Sequence, residues 1–219
     1  MSFDPEIRNQ IQSIVDSGTV VLFMKGSAMQ PQCGFSARVV DILNRVVPSY
    51  VTFDVLSDPE IRDAIKEFSD WPTIPQLYIK GEFQGGCDIV TEMYEKGELH
   101  QALGVAVPDV GTVSITITDE AAQILREAQT RFPGDSCLHI GIDAAYRHSL
   151  GFGPRQGGEV ELEVAGFAVL LDRDSAARAD GLTLEAVPGP GGGGERLTFA
   201  NPNAPSEKPG DESRGAYDG

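Results

Sequence analysis

The stretch from Thr19 to Ser36 constrains this chain more than any other. Thr19-Val20-Val21-Leu22-Phe23 is mostly apolar and rich in β-branched residues, the pattern of a buried strand. Met24-Lys25-Gly26-Ser27-Ala28-Met29-Gln30-Pro31-Gln32 breaks that pattern, and Cys33-Gly34-Phe35-Ser36 follows. Val39, Leu43, Val46 and Val47 then recur at helical spacing, so a helix is predicted to open near Gly34. A cysteine on such a strand-to-helix turn sits where backbone N–H groups point outward and the helix dipole favours an anion. Lys25 adds positive charge from the strand end. Both effects lower a thiol pKa and enrich the thiolate, the form that attacks disulfides or binds metal. A dithiol redox site would carry its second cysteine three residues further on, where this chain has Ser36.

The remaining composition narrows the partners. The chain has 219 residues, with 17 Lys and Arg against 33 Asp and Glu, for a net charge of −16. Nucleic acid and anionic membrane surfaces both need a positive face, so neither is expected as a partner. Three cysteines, Cys33, Cys87 and Cys137, are too few and scattered for a disulfide framework and fit a reducing compartment. The start, Met1-Ser2-Phe3-Asp4-Pro5-Glu6, lacks the basic and apolar regions of a signal peptide, and its acidic residues argue against a transit peptide. No apolar run reaches membrane-spanning length. A soluble, cytoplasmic protein is the expectation.

Along the chain, Asp4 and Pro5 predict the start of a helix with Ile7, Ile11, Ile14 and Val15 on its apolar face, ended by Gly18. After the cysteine-bearing helix, Tyr50–Val55 alternates as a strand, and Asp58-Pro59-Glu60 opens a helix carrying Ile61, Ile65 and Phe68. Trp71-Pro72-Thr73-Ile74-Pro75-Gln76 leads into a strand at Leu77-Tyr78-Ile79, a turn at Lys80-Gly81 and a return through Glu82-Phe83-Gln84. Asp88, after Gly85-Gly86-Cys87, is predicted to cap a last helix with Ile89, Met93 and Tyr94. This order indicates an α/β sandwich around a mixed sheet. Pro75 has two readings: a trans strand-edge breaker, which propensity favours, or a cis proline that exposes the Ile74 backbone to an extended peptide.

Four segments in order carry a resemblance: Met24-Lys25-Gly26, Cys33-Gly34-Phe35-Ser36, Trp71-Pro72-Thr73-Ile74-Pro75-Gln76-Leu77 and Gly85-Gly86-Cys87-Asp88. Through them residues 3 to about 104 resemble the monothiol glutaredoxins of the Cys-Gly-Phe-Ser class, a thioredoxin-fold family. The resemblance implies that Pro75 is cis and that the domain, taken as residues 1–107, carries a glutathione groove. In it Lys25 and Arg62 would hold glutathione carboxylates, Ile74 would pair with its backbone, and Cys87 and Asp88 would take its γ-glutamyl end. Without the family, Arg62 reads as a solvated charge, Cys87 as a small packed residue and Trp71 as a packing anchor. The family also implies a glutathione-dependent homodimer around a [2Fe-2S] cluster, with Cys33 as the metal ligand of each chain. Four thiolates hold such a cluster. One from each of two chains and one from each of two glutathiones complete the set.

The second half follows a short linker at 105–112 with Pro108 and Gly111. Val113–Ile117 alternates as a strand, Thr118 is placed to cap a helix with Ile124, Leu125 and Ala128 on its buried side, and Cys137–Ile142, Val160–Val164, Phe167–Leu171, Leu182–Val187 and Arg196–Phe199 read as strands. Ile117-Thr118-Asp119-Glu120-Ala121-Ala122, Leu138-His139-Ile140-Gly141-Ile142 and Phe199-Ala200-Asn201-Pro202-Asn203-Ala204 resemble the A-type iron–sulfur carriers (HesB-like). That family needs a cysteine after the second strand and a Cys-x-Cys pair near the C-terminus. Here the first region reads Ala144-Ala145-Tyr146-Arg147-His148-Ser149-Leu150, no cysteine follows Asn203, and Cys137 lies inside the preceding strand. No ligand carries over, and one imidazole, His139 or His148, does not replace the set. The expected fold is thus an α/β thioredoxin fold followed by a β-rich α+β HesB-like domain at 112–203. The run Gly189–Gly194 reads as a flexible loop rather than a phosphate cradle, and 204–219 as a disordered tail.

Three functions follow. The first is glutathione-dependent [2Fe-2S] cluster binding and transfer to apo iron–sulfur acceptor proteins, in assembly and iron homeostasis. The second is thiol–disulfide exchange on glutathionylated proteins, a weak oxidoreductase activity with Cys33 as the catalytic nucleophile. The third is a non-enzymatic assembly adaptor.

Overall fold

In the computed structural model, which describes residues 4–189 and 194–205, the chain divides into two compact units, 1–107 and 108–219. Each has its own core.

In the first unit, α1 (Pro5–Val15) begins on Asp4, whose carboxylate accepts from the Glu6 amide, with Pro5 in the first turn. It closes at Asp16, before the predicted Gly18, because the Asp16 and Ser17 amides already take the carbonyls of Gln12 and Ile14. β1 (Val20–Met24) is buried along its whole length. Its side chains alternate: Val20, Leu22 and Met24 enter one core, Val21 and Phe23 the other. A strand covered on both faces must be apolar throughout, which is why no polar residue interrupts this run. Each such fully buried side chain contributes about 1.5–3 kcal/mol.

The helix α2 (Gly34–Val46) packs Val39, Ile42, Leu43 and Val46 on the first face. β2 (Val51–Asp54) runs parallel to β1, and α3 (Pro59–Phe68) begins on Asp58, which accepts from the amides of Glu60 and Ile61. β3 (Gln76–Ile79) and β4 (Glu82–Gly85) form the antiparallel hairpin, giving a mixed sheet of order β2-β1-β3-β4. α1 and α3 share one face with Tyr78, while α2, α4 (Cys87–Lys96) and α5 (Glu98–Leu103) share the other.

Two details depart from expectation. Asp88 does not cap α4: the cap position is Gly86, the helix begins at Cys87, and Asp88 lies exposed in the first turn. Its carboxylate there opposes the partial positive charge of the helix N-terminus without closing a hydrogen bond to it. Second, α5 was not foreseen. Gly97 in the left-handed conformation (φ 77°) stops α4 and starts a new helix, whose Leu99 is buried.

The second unit is β-rich, as expected. β5 (Ile115–Ile117) leads to α6 (Asp119–Gln129), capped by Thr118 accepting from the Ala121 amide, with Ala121, Ala122 and Leu125 buried. β10 (Leu182–Pro188) joins β5 in parallel and β11 (Glu195–Ala200) in antiparallel fashion. A second sheet has the order β7-β6-β9-β8, from β6 (Cys137–Ile142), β7 (His148–Gly153), β8 (Val160–Val164) and β9 (Phe167–Leu171), and α7 (Arg173–Ala177) follows it. β7 and α7 were missed. Strand β7 alternates correctly, with Leu150 and Phe152 partly buried and Ser149 and Gly151 exposed, but its glycines and serine weaken the signal. The expectations for the Gly189–Gly194 loop and the tail from 204 fall chiefly outside the described residues. No helix among the described residues is long and apolar enough to cross a membrane.

Candidate functional site

The site is built where β1 ends. Gly26 turns the chain at φ 81°, and a Cβ there would lie 2.4 Å from the Gln30 carbonyl oxygen and 2.9 Å from the Gln32 nitrogen, so only glycine fits. The loop closes on itself: the Gln32 amide donates to the Lys25 carbonyl (2.9 Å), and Ser27 and Gln30 exchange backbone hydrogen bonds of 3.2 Å. This delivers Cys33 to the N-cap position of α2 with extended backbone.

The Cys33 side chain closes no capping hydrogen bond of the sort a serine or aspartate makes and stays part-exposed. Its pKa lies below that of an ordinary thiol. The Ser36 amide is the largest cause, partial burial opposes it, and the Phe35 amide, the Lys25 charge and the Ser36 hydroxyl add to the lowering. Ser36 itself is fully buried, and its Oγ accepts from the Lys25 amide at 3.2 Å. The hydroxyl therefore links the strand end to the sulfur, a role that spacing alone did not reveal.

Cys87 is the first residue of α4 and half-buried. Burial pushes its thiol up, with the Asp88 and Cys33 charges acting the same way against the Thr91 hydroxyl and Arg38. The Cys33 charge thus reaches the Cys87 sulfur, and the two thiols have opposite tendencies. Arg38, not foreseen, is the second basic residue whose charge reaches this pair. Met29 (89% exposed), Phe35 (61%) and Ile89 (37%) are large apolar side chains left in solvent, on the loop before Cys33 and the first turns of α2 and α4.

The loop before β3 reaches the start of α4, where the Trp71 indole and the Pro75 carbonyl lie beside Gly86. The Ile74–Pro75 peptide is cis, as the resemblance implies and against propensity. The Ile74 side chain is buried in the core with Phe23 and Tyr78. Gln76, fully buried, was also missed: its Nε2 donates to the carbonyls of Trp71 (3.0 Å) and Thr73 (3.2 Å), while its Oε1 accepts from the Tyr78 hydroxyl (3.2 Å). A buried glutamine with both ends satisfied fixes the loop from within. Gly86 lets the backbone pass Trp71, since a Cβ there would sit 2.9 Å from the indole Nε1. Arg62 lies half-buried on α3 and Lys25 half-buried at the strand end.

In the second unit Cys137 is buried. His139 faces the Gly153 and Pro154 carbonyls (3.3 and 3.1 Å) and Glu159 (3.1 Å), and His148 stacks on Phe199 at 4.8 Å. Among the described residues no group of three or more His, Cys, Asp or Glu side chains could hold a metal ion.

Comparison with known proteins places the first unit. The glutaredoxin family profile matches residues 20–84. An uncharacterized monothiol glutaredoxin of Synechocystis sp. is 52% identical over 104 residues, covering 48% of this chain and 97% of that protein. The mitochondrial monothiol glutaredoxin-5 of Saccharomyces cerevisiae is 49% identical over 106 residues, covering 47% of this chain and 71% of the relative. Among solved structures, that of reduced poplar apo GrxS14 is 45% identical and covers 48% of this chain and 95% of that one, with a TM-score of 0.43. The first unit is a thioredoxin-fold glutaredoxin domain, and the second is a β-rich domain. Through its first half the chain belongs to the monothiol glutaredoxins.

Proposed function

We propose that this protein binds a [2Fe-2S] cluster together with glutathione and hands it to apo iron–sulfur proteins, in cluster assembly and iron homeostasis. The observation that carries the reading is Cys33: one part-exposed thiol of lowered pKa, with a buried Ser36 in place of a resolving cysteine. The cargo takes four thiolates. The thiol of Cys87 is raised and Cys137 is buried in the other unit, so one chain offers one ligand. Two chains and two glutathiones complete the set, and the loaded form is a homodimer.

Membership of the monothiol glutaredoxins supports the glutathione groove. Lys25 and Arg62 hold its carboxylates, the Ile74 main chain pairs with its backbone, and Cys87 and Asp88 take the γ-glutamyl end at the start of α4. A cargo held half by an exchangeable tripeptide leaves easily, which suits delivery. The second unit is a degenerate A-type carrier (HesB-like) domain without the family cysteines, serving in docking. Anaerobic reconstitution with iron, sulfide and glutathione tests the central claim. Wild type becomes a coloured dimer and Cys33→Ser stays colourless. Colourless, monomeric wild type overturns the reading. Deleting 112–219 is expected to change transfer rate or partner choice, and an unchanged acceptor profile removes the docking role.

The same thiolate favours a second reading, deglutathionylation. The Cys33 thiolate attacks the glutathione sulfur of a mixed disulfide, and the target protein leaves as a thiolate that takes up a proton. A second glutathione thiolate then attacks the Cys33–glutathione disulfide, releasing oxidised glutathione and the Cys33 thiolate. Turnover of a glutathionylated test protein distinguishes this reading from cargo binding.

A further inference from the structure

We propose that Asp54, at the end of β2 and distant in sequence from every motif of the site, is a positioning residue for the Cys33 thiolate. The inference rests on Cys33 being the reactive thiolate and on nothing else in the functional reading.

Asp54 is anchored by its own strand. Its neighbour across β1 is Met24, the Val55 amide donates to the Met24 carbonyl (2.9 Å), and the Asp54 carbonyl accepts from the Ser57 amide (3.1 Å) and hydroxyl (2.6 Å). From this fixed base one carboxylate oxygen, Oδ1, accepts from the amides of Gly26 (2.8 Å) and Leu56 (2.9 Å). The Gly26 amide belongs to the same peptide plane as the Lys25 carbonyl, which accepts from the Gln32 amide (2.9 Å). That plane is therefore held at one end by Asp54 and at the other by the residue preceding Cys33. The next plane back carries the Lys25 amide, which donates to Ser36 Oγ (3.2 Å).

Gly26 makes a fixed acceptor necessary. Without a Cβ its backbone is permissive, so sterics alone do not keep the Lys25–Gly26 plane in one orientation. A hydrogen bond from the Gly26 amide to an oxygen anchored on β2 does so. If the plane turns, the Gln32 bond, the Lys25 side chain and the Ser36 contact all shift, and Cys33, the next residue after Gln32, loses its fixed place at the start of α2.

Charge and position predict opposite signs here. A carboxylate near a thiolate disfavours it through charge, so its loss would make Cys33 more reactive. As a positioning group its loss makes Cys33 less reactive.

The test is the rate of Cys33 alkylation by iodoacetamide at pH 7 in the full chain, read by peptide mass mapping, with circular dichroism monitoring the fold. Asp54→Ala is expected to slow alkylation about three- to ten-fold. Asp54→Glu keeps the charge but displaces the oxygen, and slows the reaction in the same direction. Asp54→Asn keeps an Oδ1 acceptor and stays within about two-fold of wild type. Should Asp54→Ala not fold, the Glu and Asn pair decides alone. Unchanged rates in Ala and Glu, or faster alkylation in Ala and Asn, overturn the proposal. No cluster or glutathione enters the assay, so its outcome is separable from that of reconstitution.

Discussion

Ser36 stands where a dithiol enzyme has its second cysteine, yet its complete burial and its two polar partners give it a task of its own. Ser36→Ala removes a donor to the thiolate and strands the Lys25 amide. The Cys33 midpoint should rise, and alkylation at pH 7 should slow about two- to five-fold. In wild type, mass mapping after brief labelling at neutral pH should find Cys33 modified well before Cys87, whose thiol is raised, and before buried Cys137. Folding favours the ionised Cys33, so its contribution to stability is present above the ordinary thiol range. It is lost as pH falls through the lowered folded-state value. Denaturant midpoints of wild type and Cys33→Ser should therefore diverge as pH rises from 6 to 10. At this scale the turn that places Cys33 at the start of α2 was legible, because a strand-to-helix turn is a local pattern. The sequence did not disclose Asp54 or Gln76: Asp54 meets Gly26 across 28 positions of chain, and Gln76 acts through burial.

Among the elements, β3 carries a testable liability. Burial pushes the Tyr78 hydroxyl up to about 12. Folding thus favours the neutral phenol, so its contribution holds below pH 10 and is lost as pH rises toward 12. Alkaline melts of the first unit should show a loss of stability in that window that Tyr78→Phe reduces. At α3, Asp58→Ala removes the acceptor for two amides and should cost about 1 kcal/mol, read as a lower melting midpoint. Elements with a strong period or a cap were legible: β1 from its unbroken apolar run, α3 from Asp58-Pro59, β6 from its boundaries to the residue. Those set by glycine geometry were not. Gly97 splits α4 from α5, and the glycines of β7 hide a strand that only its pairing with β6 reveals.

For the whole molecule, the hydrophobic clusters of the first unit contain none of the second unit's residues, so residues 1–107 should fold alone. Expressed without the rest, they should reproduce the Cys33 alkylation profile of the full chain within two-fold; a larger change means that the second unit reaches the thiol. The two-sheet arrangement of the second half was not legible in the sequence, since long-range pairings such as β5 with β10 leave no local trace. One feature of that half bears on how the protein survives at high concentration. β8 is an outer strand whose Glu161 and Glu163 face solvent, and Arg155 holds the Glu161 carboxyl below the usual range. Like charges on an open edge repel an identical edge approaching from another molecule and so block fibril growth by strand addition. With both exchanged for threonine, the same rim becomes a template, and dye-binding aggregates should appear in solutions where the native chain remains clear.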